Sequence, residues 1–169
     1  MKKHAALIMV IVAFILQPFF SGLLPAFLTP DFLFCIVLLF AITMEEERAI
    51  LPISLGIILS IPAELFSNQF PGVATGITVI LVIPIILLKR HINLDHLLFV
   101  GLLAVGLSLA RQLIYWVVYR ALGSSIGFLY MLKRLPLAML PDALLLFVGL
   151  FFFARHMREE RWDSYFRVK

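Results

Sequence analysis

Four polar side chains stand inside long apolar runs of this sequence: Gln17, Glu64, Arg111 and Asp142. A charge left unpaired at the centre of a membrane-spanning helix costs about 2.5–3.5 kcal/mol on insertion scales, so such groups face inward and pair. Arg111 is the only cation among the four. Its planar fork can hold two carboxylates, which makes Glu64, Asp142 or both its expected partners. At about 1.5 Å of helical rise per residue, Gln17 lies about 18 Å along its run and Glu64 about 22 Å along its own. Arg111 lies about 21 Å along its run and Asp142 about 20 Å from the far end of the last one, so the four share a level. Two simpler readings stand beside this layer. Arg111 can snorkel to the headgroups, and Glu64 can sit at a water-exposed loop edge.

Other chemistry finds no constellation to carry it. The four histidines, His4, His91, His96 and His156, lie in the tails or between apolar runs, so no Ser–His pair forms inside an apolar helix. A His-Glu-x-x-His helix for a metalloprotease and a phosphate-binding Gly-Lys-Ser/Thr loop are both missing from the sequence. One cysteine, Cys35, cannot build a disulfide framework or a metal cluster within one chain. The expectation is a protein with no enzymatic activity, no cofactor and no metal.

Composition then sets the elements that must position these residues. The 169 residues are 63% hydrophobic and 14% charged, with mean hydropathy +1.07, far beyond what a soluble domain can bury. The net charge of +4 is no sign of nucleic-acid binding, because the basic residues cluster at the ends of apolar runs. The 16 phenylalanines suit lipid-facing surfaces. Six apolar runs span residues 5–28, 30–44, 49–66, 73–88, 97–122 and 135–154. Each must be helical, since lone strands would leave backbone groups unpaired in lipid. The alternating segments of a barrel are absent. The chain therefore reads as an all-α integral membrane protein, a bundle of six transmembrane helices over residues 1–154, with a short basic tail over 155–169. The second run is short for a span of about 20 residues, so it is expected to be steeply placed or extended by its flanks.

Lys2 and Lys3 ahead of an apolar run imitate a signal peptide, but the run is long and lacks a small-x-small cleavage site, so it reads as a retained first helix. Ten of the fourteen Lys and Arg residues fall on one side of this topology, and Arg120, Lys133 and Arg134 on the other. The positive-inside rule puts both termini in the cytoplasm. The connections around residues 29–31, 67–72 and 123–134 then face outward. Pro18, Pro62, Pro84 and Pro141 interrupt the runs and are expected to kink their helices. Gly56-x-x-x-Ser60 and Gly72-x-x-x-Gly76 place small residues on one helix face, for contact within the monomer or for a homodimer. Tyr115, Trp116 and Tyr119 read as interfacial aromatics. The segment Glu45-Glu46-Glu47-Arg48 reads as a solvated turn. The basic tail reads as a membrane-surface anchor or a partner-binding segment.

Three segments together resemble a known family. Thr29-Pro30-Asp31-Phe32-Leu33 before an apolar helix is similar to the Pro-Asn/Asp helix opening of MreD, the rod-shape-determining membrane proteins of bacteria. Gly56, Glu64 and Gly72 stand at the spacing of that family's glycine–acid–glycine pattern, with Glu64 in place of the more usual Asp. Arg134-Leu135-Pro136 through Pro141, then an apolar helix and a basic tail from Arg155, resembles its last helix. Ser60 replaces one expected small residue, and Arg111 stands where several members carry an acid. The resemblance covers most of residues 30–158. It implies a non-catalytic inner-membrane scaffold of the cell-elongation machinery, which organises lateral-wall peptidoglycan synthesis. Its implied partners are MreC and, through it, the MreB cytoskeleton and the glycan polymerase–transpeptidase pair. The fold it implies is similar to the substrate-binding subunits of energy-coupling-factor vitamin transporters, which supplies the alternative function. The Ala-x-x-x-Ala contact common in helix one of those subunits is not here: Ala5 is followed at that spacing by Met9, and Ala6 by Val10. A small membrane-structural protein of another class is the third reading.

Overall fold

The computed structural model describes residues 3–24, 29–44, 46–66, 72–88, 97–125 and 127–166. Among the described residues every regular element is a helix. They are α1 (Lys3–Leu23), α2 (Phe32–Thr43), α3 (Glu46–Phe66), α4 (Val73–Leu88), α5 (Leu97–Ala121) and α6 (Phe128–Phe166). Four contain segments long and apolar enough to cross a membrane: His4–Leu23, Arg48–Leu65, Leu98–Ala121 and Phe128–Phe152. The other two are shorter. At 12 and 16 residues, α2 and α4 are about 18 and 24 Å long, against a hydrocarbon core of about 30 Å. Flanking turns do not lengthen α2. Pro30-Asp31 fixes its start, and Met44 leaves helical geometry at φ −91°, ψ 146°.

Helix α2 is the axis of the bundle. Ten of its twelve residues are buried, on every side of the helix, because α1, α3, α4 and α6 all pack against it. A helix apolar all round is one that sits inside others. The surrounding helices carry one face inward and one outward. Val10, Ala13, Ala104, Leu146 and Leu150 are buried. Ile8, Ile15, Leu98, Leu102 and Phe152 are exposed. This outward belt of large apolar side chains is far more than a water-soluble surface carries, and it fits a helical membrane protein. Helices α5 and α6 pack against each other and run antiparallel. Gly101 lies beside Phe147, Arg111 beside Asp142, and Trp116 beside Phe128.

Three boundaries differ from the sequence reading. Helix α3 begins at Glu46, so Glu46, Glu47 and Arg48, expected as a turn, belong to the helix. The connection expected over residues 123–134 is short, and Lys133 and Arg134 belong to α6. Leu129, Met131, Leu132, Lys133 and Arg134 are strong helix formers. Pro136 and Pro141 are accommodated inside the helix. At its other end the α6 backbone stays helical through the basic segment to Phe166. Its 39 residues give about 58 Å, well beyond one hydrocarbon thickness. The tight α5–α6 turn has a stated cause. Gly123 adopts φ +91°, its N–H donates to the Arg120 carbonyl at 3.2 Å, and the Ser124 N–H donates to the Tyr119 carbonyl at 3.0 Å. This is the Schellman pattern, which needs a residue at ease with positive φ.

Candidate functional site

A helix that begins inside a bundle brings unpaired N–H groups into an apolar interior. Helix α2 does this, and the polar residues of the chain gather at its start. Pro30 contributes no donor. Asp31 is the N-cap, with φ −89° and ψ 93°, and its Oδ1 accepts from the Phe34 N–H at 3.0 Å. The Asp31 N–H donates to Asp142 Oδ1 at 2.8 Å, and the Phe32 N–H donates to Gln17 Oε1 at 2.8 Å. The first helical bond follows, from the Cys35 N–H to the Asp31 carbonyl at 3.0 Å. Acceptors from α1 and α6 thus satisfy donors at the start of α2 that water would serve on an ordinary surface helix.

Arg111 of α5 closes the cluster. Its Nη1 pairs with Asp142 Oδ2 and its Nη2 with Asp31 Oδ2. The guanidinium also lies 4.4 Å from the Phe34 ring centroid and 5.2 Å from that of Tyr115. The Cys35 thiol donates to the Asp142 carbonyl at 3.7 Å. Electrostatics explain the composition. Two carboxylates face one guanidinium and the positive end of the α2 dipole, equivalent to roughly half a charge. Arg111 is 6% exposed and Asp142 1%, so the cluster is buried in the bundle. Arg111 points inward, not out toward headgroups.

Of the layer expected from the sequence, Gln17, Arg111 and Asp142 meet here. Glu64 does not join Arg111, and the second carboxylate is Asp31, which the sequence reading placed in a loop. The reason lies one helix away. Helix α4 is preceded by Gly72, whose φ is +87° and which has no side chain to cap with. Its first helical bond runs from the Gly76 N–H to the Gly72 carbonyl at 2.8 Å. Glu64, 4% exposed near the end of α3, supplies the cap instead. Its Oε1 accepts from the Thr75 N–H at 2.6 Å and from the Thr75 hydroxyl. A carboxylate also suits the positive end of α4.

This assignment has a test. Glu64→Gln keeps an acceptor for the Thr75 N–H and is expected to cost under about 1 kcal/mol, the share of charge and dipole. Glu64→Leu strands that buried donor and is expected to cost about 1–3 kcal/mol. Thermal unfolding of both variants in one detergent measures the difference. Equal losses would show that Glu64 does not act as the cap.

The remaining motif positions divide. Gly56 lies where a β-carbon would collide with Val37 Cγ2 of α2, so its missing side chain permits the α2–α3 approach. Gly72 and Gly76 have no neighbouring atom within 4 Å of such a position, so they mediate no comparable contact among the described residues. Ser60 Oγ donates to the Gly56 carbonyl at 2.8 Å within its own helix. Pro141 immediately precedes Asp142 in α6, and Pro136 borders a groove between α5 and α6. His91 and His96 lie outside the described residues, as does Glu45.

Gln17, Asp31, Ser60 and Glu64 also border a cavity of about 20 Å³, space for one water molecule. Among the described residues, Glu64 Oε2 has no hydrogen-bond partner. Also among them, no group of three His, Cys, Asp or Glu side chains is placed to hold a metal ion. Chemically the arrangement is a capping and charge-pairing site that joins α1, α2, α5 and α6. Asp31 stands in the Pro-Asp helix opening noted in the sequence, and as an N-cap it is carried into the cluster by α2, which its assignment to an outer connection did not foresee. Compared with known proteins, the chain matches no protein-family model, no curated protein and no solved structure.

Proposed function

We propose that this protein is a non-catalytic scaffold of the bacterial inner membrane, of the MreD type, serving the cell-elongation machinery. In this reading all six helices lie within the bilayer as a bundle similar to the substrate-binding subunits of energy-coupling-factor transporters, with both termini cytoplasmic. It organises lateral peptidoglycan synthesis through MreC and, beyond it, MreB and the glycan polymerase–transpeptidase pair.

One observation carries the proposal. Of the positions that carry the resemblance, Asp31, Gly56 and Glu64 each act between two helices, whereas Gly72 makes no such contact among the described residues. Positions matched by chance in apolar helices have no reason to share that role. A fixed bundle is what a scaffold needs. The alternative, a vitamin-binding subunit, needs a ligand pocket of roughly 300 Å³ or more. At the axis of the bundle, which α2 fills, the cavity beside the cluster is about 20 Å³. The larger openings, of about 230 and 390 Å³, lie along the α5–α6 pair rather than inside the bundle.

Depletion of the protein in its host tests the function. Cells should lose their uniform width and round up, measured by microscopy during growth. Tagged protein should recover a single-span coiled-coil partner from membranes. Normal shape together with a new vitamin requirement, and recovery of an ATPase pair with a large membrane subunit, would establish the transporter reading instead.

A further inference from the structure

Beyond the Arg111–Asp142 pair, on the side away from α2, the α5–α6 hairpin opens into a pocket of about 230 Å³. Its floor is tied by Gln112 Nε2, which donates to the Ala138 carbonyl at 3.2 Å. Trp116, Tyr119 and Tyr130 form aromatic walls, and Trp116 is braced edge-on by Phe128 at 5.4 Å. Two exposed guanidiniums line the pocket, Arg120 from α5 and Arg134 from α6, and none of its lining residues is acidic.

Helix geometry sets both arginines at one depth. Arg120 stands nine residues past Arg111 in α5, a rise of about 13 Å. Arg134 stands eight residues before Asp142 in the antiparallel α6, about 12 Å. The Arg111–Asp142 pair therefore acts as a common origin, and the two cations face one opening from opposite helices. Neither is loosely placed. Arg120 Nη1 donates to the Ser124 carbonyl at 3.1 Å, and Arg134 lies 4.7 Å above the Tyr130 ring centroid.

We propose that this pocket binds the phosphate-bearing headgroup of an anionic membrane phospholipid. Paired guanidiniums recognise phosphate oxygens through charge-assisted, bidentate hydrogen bonds. Tyr and Trp walls are the side chains that settle at the boundary between headgroups and acyl chains. A free anion would need the cations but not the apolar walls, whereas a lipid headgroup uses both. The inference rests on the helices spanning a bilayer and is independent of the scaffold reading.

The test uses the full chain, purified and stripped of lipid in detergent. Phosphatidylglycerol or phosphatidylcholine is then added, and bound lipid is counted by native mass spectrometry. Each basic side chain near an anionic lipid contributes about fivefold, so the double variant Arg120→Gln, Arg134→Gln should lose about thirtyfold of the preference for phosphatidylglycerol. Lys133→Gln is the control, since Lys133 is exposed on the same turn of α6 but does not line the pocket. The charge-conserving pair Arg120→Lys, Arg134→Lys should fall between the unaltered protein and the Gln pair, keeping the share of the preference that charge supplies and losing the share of the bidentate fork, which separates loss of charge from misfolding. Equal loss in Lys133→Gln, or equal retention of both lipids by the unaltered protein, overturns the proposal. Displacement of phosphatidylglycerol by millimolar inorganic phosphate alone overturns the lipid assignment in favour of a phosphate site. Retention of neither lipid likewise overturns the pocket.

Discussion

Arg111→Ala is expected to deplete the protein from membranes and to cost about 3–5 kcal/mol of stability, the usual penalty for removing one partner of a buried ion pair. The loss belongs at the upper end of that range, because one side chain neutralises two aspartates. Asp142 cannot turn to water, and Asp31, with its side chain 17% exposed, can do so only in part. Asp142 Oδ1 is held by the Asp31 N–H and Asp31 Oδ1 by the Phe34 N–H, so moving either carboxylate also uncaps α2. Arg111→Lys should fall between, since an ammonium is a point charge and cannot span two carboxylates with a planar fork. Arg111→Glu should be the worst of the three, with a third acid placed against two. Partial recovery is expected when Arg111→Glu is combined with Asp142→Arg, and none with Glu64→Arg, because Glu64 serves Thr75 and not Arg111. Membrane abundance and thermal unfolding in detergent measure the series. Equal, mild losses for Arg111→Ala and Arg111→Glu, with no recovery from Asp142→Arg, would remove the case for a charge-paired cluster.

The level of that cluster was legible in the sequence, but its pairing was not. Helical rise per residue is nearly constant, so residue number along an apolar run converts to depth, and Gln17, Arg111 and Asp142 share one level. Which carboxylate meets the guanidinium depends on rotation about the helix axes and on which helix is central. Neither quantity is written in hydropathy. Asp31 and Glu64 both stand at the edge of an apolar run and look alike in the sequence. What separates them is the residue that opens the next helix. Asp31 caps its own helix and is carried inward with it, because α2 is short and buried all round. Glu64 is drawn to α4, because Gly72 has no side chain to offer. The length of α6 was hidden for a different reason. Pro136 suggests a helix start nearby, yet in an apolar setting neighbouring groups re-satisfy a freed carbonyl, and the helix runs through it.

The same structure separates the two small-residue patterns, and the expected difference is large enough to measure. Gly56→Ala is expected to cost about 1–3 kcal/mol, the range for forcing extra atoms into a packed core. The new β-carbon would meet Val37 Cγ2, and Val10 Cγ1 lies 3.8 Å from the same point. Val37 cannot easily turn aside, since a β-branched side chain in a helix has one strongly preferred rotamer. It is also wholly buried, on a helix that four others surround. Relief must therefore come from sliding α3 away from α2, which would disturb Ser60 and Glu64 on the same helix. Val37→Ala removes the colliding methyl, so the pair Gly56→Ala, Val37→Ala should be more stable than the sum of the two single losses, a positive coupling in a double-mutant cycle. Gly76→Ala is the opposing case. Nothing lies within 4 Å of its would-be β-carbon, and it sits inside α4, so alanine there should be neutral or gain up to about 1 kcal/mol of helix propensity. Thermal unfolding of the four variants in one detergent decides the matter. Equal effects at Gly56 and Gly76, or strict additivity of Gly56→Ala with Val37→Ala, would mean that the α2–α3 contact does not depend on the missing side chain.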